Sequence, residues 1–489
     1  MADLTLANLN MLFVRYVDTT ERELHTPLGP LYLTAALERD GLEVDIRDYQ
    51  LHDVADPFQS DVMAGYLADP APIVGVSCMT NLMPFALLAL REFKQRYPDR
   101  TVVLGGVGPM SIEEAVLRDF PWVDVVSRGE GERMIGPLVR TLRAGGDLAQ
   151  VPGIFFRRNG DIVQTPPPER IADLDSIGRP AFHHIDLARY QGYGVISSRG
   201  CPYPCTFCSV APIWGHKPFF RSNDDIIAEM RFLHEEAGVG IFLFQDEFFV
   251  SSKERVLSFC EALRRSGLKV LWKAFGRVNL TDRETMEAMA STGCVEIRYG
   301  IESGSDAVLR RTKKGFTTEA AVRVVSEAVR IFDRVDCFYV WGFPFETMDD
   351  FRQSVFQMIS FRMMGARILP SLLCLLPQTE IYQEVGPERL EFCRELFPEY
   401  MVTGHEVCRA GRIEIAAEHR HLFDFIEQYP HLFPGFFHYD LAGNVFPKLK
   451  VLQEFGFYPA EEEPTGADSC GAHSPKLAAP QERMLTVRS

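Results

Sequence analysis

The segment Gly200-Cys201-Pro-Tyr-Pro-Cys205-Thr-Phe-Cys208 sets three thiols in a Cys-x3-Cys-x2-Cys spacing. Three thiolates this close in sequence can wrap one metal centre, and soft sulfur donors favour iron–sulfur or zinc. A fourth cysteine would close a structural site, whereas three leave one metal position open for chemistry. Pro202 and Pro204 restrict the loop backbone, and Phe207 can shield one side of a cluster from water. The alternative is a structural zinc ion completed by the distant His216, but no second cysteine pair or close histidine completes a zinc pattern.

A loop of this kind needs a strand end to hold it. Residues 191–385 alternate strand and helix, with strands expected at Tyr193–Ser197, Ile241–Gln245, Val270–Ala274, Val295–Tyr299, Asp336–Trp341 and Ile368–Leu375. Six βα units are too few for an eight-unit barrel, so the spacing predicts a partial barrel or another doubly wound sheet. Residues 10–145 also alternate, with strands expected at Met11–Arg15, Glu43–Arg47, Pro72–Ser77, Thr101–Leu104 and Val123–Val126. Five strands alternating with helices predict an open, doubly wound, flavodoxin-like α/β domain with a five-stranded parallel sheet.

Such a sheet binds ligands outside the carboxyl ends of its strands. Those ends carry Ser77-Cys-Met-Thr80, Gly105-Gly106-Val-Gly108 and Arg128-Gly129-Glu-Gly-Glu132. Glycines there let a flat or phosphate-bearing ligand approach the backbone, and ordinary strand-to-helix turns are the competing reading. No Gly-x-Gly-x-x-Gly follows the first strand, which argues against a dinucleotide site.

The expected organisation is therefore a first domain over 1–146, a connector over 147–190, a second domain over 191–385 and a helical, aromatic extension over 386–460. The connector holds a hairpin signal at Asn159-Gly160. Residues 461–489 are rich in Glu, Pro, Gly, Ser and Ala and read as a disordered tail. The chain has 489 residues and a formal charge of −16, which argues against broad nucleic-acid binding. Scattered cysteines, no signal peptide and no continuous apolar span predict a cytoplasmic protein without a transmembrane segment.

The cysteine loop after a first barrel strand resembles that of the radical S-adenosylmethionine superfamily, and further segments match in order. Phe244-Gln-Asp246-Glu-Phe248 resembles the second-strand segment near the methionyl amino group, and Arg277-Val-Asn279 occupies the place of a third-strand element. Arg298-Tyr-Gly-Ile-Glu302-Ser303-Gly-Ser is similar to the GIESGS signature, which contacts the nucleoside and methionine portions. Val340-Trp-Gly-Phe-Pro-Phe-Glu346-Thr347 is similar to a GxPxET segment, and Leu376-Pro-Gln-Thr-Glu-Ile-Tyr382 to PGTxLY with Gln378 in the place of glycine. The resemblance implies a [4Fe–4S] cluster held by Cys201, Cys205 and Cys208, with S-adenosylmethionine on the remaining iron. It also implies cofactor contacts at Phe207, Asp246, Arg277, Arg298, Glu302 and Ser303. Glu302 reads alternatively as a strand-end carboxylate capping a helix, Asp246 as an orienter of backbone amides and Arg298 as an ion-pair partner in the barrel wall.

The domain in front resembles that of the cobalamin-binding subfamily, through Thr26-Pro-Leu-Gly-Pro-Leu-Tyr-Leu33, Gly75-Val-Ser77, Gly105-Gly106 and Arg128-Gly-Glu-Gly-Glu132. Cobalamin contacts are then expected at Ser77, Thr80, Gly105, Gly106 and Gly129, with no Asp-x-His-x-x-Gly to supply a histidine below the cobalt. The resemblance implies methylation of an unactivated carbon, using methylcobalamin and a 5′-deoxyadenosyl radical. Radical oxidation, cyclisation or ring rearrangement, as in the anaerobic magnesium-protoporphyrin ester cyclase, is the alternative. A binding protein that senses cobalamin or redox state is disfavoured by the open three-cysteine site. A small molecule, lipid, tetrapyrrole or peptide fits as substrate, and a flavodoxin- or ferredoxin-type protein as electron donor.

Cys374, Cys393 and Cys408 are too widely spaced for a second cluster and read as buried small hydrophobes. His405, His419, His421, His431 and His438 form no metal pair on one helical face and read as surface or substrate-pocket residues. Leu432-Phe-Pro-Gly-Phe-Phe-His438-Tyr439 reads as core packing, with a lid over an apolar substrate as the other role.

Overall fold

The computed structural model describes residues 2–9, 12–15, 20–54, 58–393 and 420–458. Two parallel sheets carry the site. The first is built from Val44–Asp48, Leu4–Asn8, Ile73–Ser77, Thr101–Gly105 and Val125–Ser127, in that spatial order and all parallel. In chain order this is 2-1-3-4-5, the flavodoxin-like arrangement, with its switch point beside the first strand.

Two expectations about this sheet are corrected. Its first strand is Leu4–Asn8, not Met11–Arg15, whose residues Leu12–Arg15 pair antiparallel with Thr20–Glu23 outside the sheet. Leu-Thr-Leu-Ala-Asn lies buried along its whole length, as a central strand must. Its polar residues are satisfied across the sheet: Thr5 Oγ1 donates to Asp45 at 3.0 Å and Asn8 Nδ2 to Asp48 at 2.8 Å. The sheet also has seven strands rather than five, because the connector hairpin, Ile154–Arg158 and Asp161–Gln164, adds antiparallel to Val125–Ser127. Asn159 and Gly160 both adopt positive φ at its turn, and the hairpin covers backbone groups that an edge strand would expose.

The second sheet runs Gly194–Val195, Ile241–Phe244, Leu271–Gly276, Cys294–Glu302, Arg334–Trp341 and Arg367–Leu372, all parallel and in chain order. Neighbouring strands in sequence are neighbours in space, which makes the sheet a partial (β/α)6 barrel and not a doubly wound sheet. Period-two alternation assigns its faces: Trp272, Ala274, Ile297 and Tyr299 are buried, while Lys273, Phe275, Arg298 and Gly300 on the opposite face are partly open.

The C-terminal extension touches both halves. Helices Arg420–Gln428 and Phe446–Glu454 flank a strand, Phe437–Tyr439, that pairs antiparallel with Leu390–Phe392. Phe425 and Tyr429 pack on Phe120 of the first half at 5.6 and 5.0 Å between ring centres. Lys448 Nζ donates to Glu346 Oε2 at 2.7 Å, and Tyr458 donates to the Pro370 carbonyl at 2.6 Å, on the barrel side. Leu432, Phe433, Phe436 and Phe437 are core residues. The expected tail, His405, Cys408 and His419 lie outside the described residues. Among the described residues no helix is long and apolar enough to cross a membrane.

Candidate active site

Past the barrel's first strand, Gly194–Val195, the chain runs through Ser197 into the short strand Ser198–Arg199, paired antiparallel with Phe219–Phe220, and the next two residues are Gly200 and Cys201. Asp246, at the end of the second strand, fastens this approach. Its buried carboxylate accepts from the Ser197 amide at 2.9 and 3.1 Å, from Ser197 Oγ at 3.0 Å and from Ser198 Oγ at 2.7 Å. The cysteine loop itself is gripped from four segments. Tyr203 lies under the Arg277 guanidinium at 3.4 Å from its ring centre and accepts from Asn279 Nδ2 at 3.1 Å. Thr206 donates its amide to the Thr312 carbonyl at 3.3 Å and accepts from the Ile381 amide at 3.0 Å. Phe207 packs edge-on against Phe343 at 5.7 Å.

All three cysteines are free and partly accessible. Burial pushes the Cys201 thiol up, and the Cys208 thiol up to about 11, and in both the charge of neighbouring Cys205 adds to the rise. Buried thiols of this kind keep their protons unless a metal takes the protons' place. The sulfurs are not gathered within 4.8 Å of one another, a spread wider than the donor set of a single ion. His216 is exposed, and among the described residues no fourth donor completes a zinc set. The loop fits a multinuclear iron–sulfur cluster.

Beside the loop, strand Cys294–Glu302 ends in strain. Glu302 has φ +67°, is 8% exposed and turns its carboxylate back over Gly300, where a β-carbon would stand 2.4 Å from Oε1. Lys314 Nζ donates to that Oε1 at 3.0 Å and lies 6.0 Å from the centre of the Phe207 ring. Arg298 lies four residues before Glu302 on the same strand. It donates to Glu296 at 2.6 Å, stands 4.0 Å from Asp336 and covers Phe275 at 5.5 Å. Ser303 faces the other way: its buried hydroxyl meets Ser354 Oγ at 2.9 Å.

The structure thus brings Phe207, Arg277 and Glu302 to the cysteine loop, and Arg298 to the partly open face of the barrel. The polar atoms of Asp246, in line with its alternative reading as an orienter of backbone amides, engage Ser197 and Ser198, and the Ser303 hydroxyl engages Ser354. Gln378 causes no difficulty in its segment, since the turn closes through the Thr379 amide on the Leu376 carbonyl at 3.0 Å without a positive φ at Gln378.

At the carboxyl edge of the first sheet, loops 77–79 and 105–108 are drawn together. The Cys78 amide donates to Gly105 at 3.2 Å and the Gly108 amide to Cys78 at 3.0 Å. Gly106 has φ +86°, and a β-carbon there would stand 2.6 Å from the Cys78 carbonyl oxygen. Ser77, Thr80 and Gly105 are partly open and Gly106 and Gly129 exposed, while Met79 leaves 40% of its surface uncovered beside them. A shelf of small residues next to an open apolar side chain fits a flat, partly apolar ring.

The two edges meet at residues that sequence reading assigned no role. Arg199 donates to Glu130 at 3.0 Å and to Glu132 at 2.5 Å, with all three side chains at most 7% exposed. Tyr32 and Trp214 lie 5.6 and 5.4 Å from its guanidinium carbon. Glu247 follows Asp246 at the surface, with protein packed around its carboxyl. That burial, with the Asp246 charge beside it, pushes its carboxyl up to about 7 against its own backbone hydrogen bond, the Trp214 indole and Arg199. Glu130 lies in a segment singled out by sequence and Arg199 immediately precedes another, whereas Lys314 lies outside them all, and no local pattern reveals partners from another part of the chain.

The Radical SAM superfamily model matches residues 195–358 and the B12 binding domain model residues 15–139. An uncharacterized methyltransferase of Pyrococcus horikoshii, PH0819, is 30% identical over 334 residues, covering 67% of this chain and 72% of the relative. The chain belongs to the cobalamin-binding radical S-adenosylmethionine enzymes. An anaerobic magnesium-protoporphyrin IX monomethyl ester cyclase of Synechocystis is 27% identical, covering 68% of each chain. The radical S-adenosylmethionine methyltransferase TsrM of Kitasatospora setae, solved with cobalamin and a [4Fe–4S] cluster, shares the fold: TM-score 0.64, 19% identity, 79% of this chain and 78% of that one. As a member of this group the enzyme uses a [4Fe–4S] cluster, S-adenosylmethionine and cobalamin.

Proposed function

We propose that this enzyme methylates an unactivated carbon of a small molecule, with Cys201, Cys205 and Cys208 holding the cluster and Ser77, Thr80, Gly105, Gly106 and Gly129 flanking the corrin. The observation that carries the reading is the burial of Arg199 between Glu130 and Glu132. It joins the cobalamin edge of one sheet to the cysteine loop of the other, as needed for a substrate that must meet both cofactors. When bound, the cluster with S-adenosylmethionine supplies hydrogen-atom abstraction and cobalamin supplies the methyl group.

The chain's own residues position and exclude. Arg277 and Asn279 clamp Tyr203 and so set the cysteine loop, while Phe207 and Phe343 close one side of it to water. Glu302 and Lys314 present a carboxylate and an ammonium group beside Phe207, a pairing suited to the polar groups of S-adenosylmethionine. Asp246 acts through the strand end it fastens. A flavodoxin- or ferredoxin-type protein would deliver electrons to the accessible cysteine loop.

The similarity to the ester cyclase, over a like share of the chain, supports a second reading as a radical oxidase or cyclase. The two separate on the fate of S-adenosylmethionine. The enzyme is reconstituted without oxygen, loaded with hydroxocobalamin and given reductant and S-adenosylmethionine carrying a labelled methyl group. Methyl transfer yields both S-adenosylhomocysteine and 5′-deoxyadenosine, with label in the product. Formation of 5′-deoxyadenosine alone, with no retained cobalamin, moves the assignment to oxidation or cyclisation.

A further inference from the structure

Away from the cleft, three side chains are arranged for chemistry that the proposed reaction does not use. Glu38 lies in the last turn of helix Leu28–Arg39, and His183 and His184 are consecutive residues of the one-turn helix Phe182–His184 in the connector. Both imidazoles aim Nε2 at one carboxylate oxygen, Glu38 Oε1, at 2.9 Å from His183 and 2.7 Å from His184. Their ring centres are 4.6 Å apart and the rings are tilted by 50°. Among the described residues this is the one group of three or more histidine, cysteine, aspartate or glutamate side chains with all donor atoms within 4.8 Å.

Consecutive side chains on a short turn ordinarily diverge, and two imidazoles this close repel when both are charged. Hydrogen bonding explains the convergence only while each Nε2 carries a proton directed at the same oxygen. A divalent ion replacing those protons engages all three donors at once. Two imidazole nitrogens and a carboxylate oxygen form a donor set that zinc takes at about 2.0–2.2 Å. Imidazole and carboxylate together, with no thiolate, separate this trio chemically from the cysteine loop.

We infer that Glu38, His183 and His184 form a binding site for a divalent transition-metal ion of the zinc class. His183 is 66% exposed, so an ion can enter from solvent and water can complete its coordination. The location gives the ion a structural task. Helix Leu28–Arg39 carries Tyr32, which faces Arg199 and accepts from Arg221 at 3.4 Å where the two halves meet. The connector runs from the first sheet towards the first barrel strand and is tied to the helix by Ala181 on the Leu31 carbonyl, 3.1 Å, and Arg39 on the Ser176 carbonyl, 2.7 Å. An ion on the trio adds a third tie and staples the boundary helix to the connector.

The test uses enzyme already loaded with its iron–sulfur cluster and hydroxocobalamin, so that the cysteine loop and the corrin edge are filled. Zinc is titrated against a chromophoric chelator, zinc retained after desalting is counted, and melting temperature is followed with and without zinc. The expected result is one retained zinc per chain and a higher melting temperature. Glu38→Gln and His183→Ala/His184→Ala should each weaken zinc binding by at least the about 10–100-fold that loss of a supporting residue costs a metal site. Their zinc-free melting should match the parent, and His431→Ala should bind zinc as the parent does. The inference is overturned if the parent retains no zinc, or if the variants bind it as tightly. Should the double variant fold poorly, Glu38→Gln, which keeps size and helix, decides the question alone.

Discussion

Arg199 and Glu130 meet at 3.0 Å across the boundary between the two sheets, with side chains 7% and 2% exposed. Arg199 lies two residues before the first cysteine of the loop, and Glu130 follows the last parallel strand of the first sheet. Glu130 also accepts from Arg170 at 3.1 Å and from the Ile171 amide at 2.7 Å. One carboxylate therefore organises the first sheet's edge, the connector and the approach to the cysteine loop.

Breaking such a buried pair from one side leaves charge stranded away from water. Arg199→Ala should destabilise the enzyme by about 3–5 kcal/mol, read from urea unfolding. Glu130→Gln should cost less, because Arg199 keeps Glu132. A loss below about 1 kcal/mol for Arg199→Ala would mean that water reaches the pair, as at a surface ion pair.

Gly106→Ala tests the first sheet's edge. The new β-carbon would press on the Cys78 carbonyl, and a left-handed backbone costs a non-glycine residue about 1–2 kcal/mol. Retained hydroxocobalamin per chain should drop while iron and sulfide stay at parent levels. Unchanged cobalamin would remove loops 77–79 and 105–108 from the corrin site.

Lys314→Met tests the pairing at Glu302. Without the ammonium group the Glu302 carboxylate sits beside Gly300 without the cation now at 3.0 Å. We expect the concentration of S-adenosylmethionine needed to perturb the cluster's electron paramagnetic resonance to rise about tenfold, equal to about 1.4 kcal/mol. Cobalamin retention should not change. An unaltered titration would confine the pair to a structural role.

His438 predicts an acid limb in stability. Burial holds its imidazole down to about 4, below its ordinary 6.5, and Nδ1 has no hydrogen-bond partner. The unfolded chain takes the proton first as pH falls, so the contribution is fully present above pH 6.5 and is lost between 6.5 and about 4. The amount at stake is about 3 kcal/mol. Melting temperatures at pH 7.5 and pH 5 should differ less in His438→Leu than in the parent; an equal difference would place the acid sensitivity elsewhere.

Much of the architecture was legible locally. Period-two alternation and strand–helix spacing found the six barrel strands, because half-buried strands leave that imprint on sequence. The cysteine loop was legible because its three thiols sit on one short stretch with a distinctive spacing. Leu4–Asn8 escaped because a central strand is covered on both faces, and its Thr5 and Asn8 are satisfied by Asp45 and Asp48 on the neighbouring strand. The hairpin around Asn159-Gly160 was legible as a hairpin, but its docking on Val125–Ser127 depends on an edge formed earlier in the chain.

The sequence by itself determined the two α/β halves, the three-thiol loop and the glycine-rich edge, since each rests on residues close along the chain. Only the tertiary structure decided what those parts do to one another. It turned Asp246 and Ser303 inward, put Lys314 on Glu302, closed Arg199 between Glu130 and Glu132, and gathered Glu38 with His183 and His184. The physical reason is that burial and pairing depend on which surfaces meet. Residues 69 positions apart, such as Glu130 and Arg199, carry no mark of each other until the fold removes both from water.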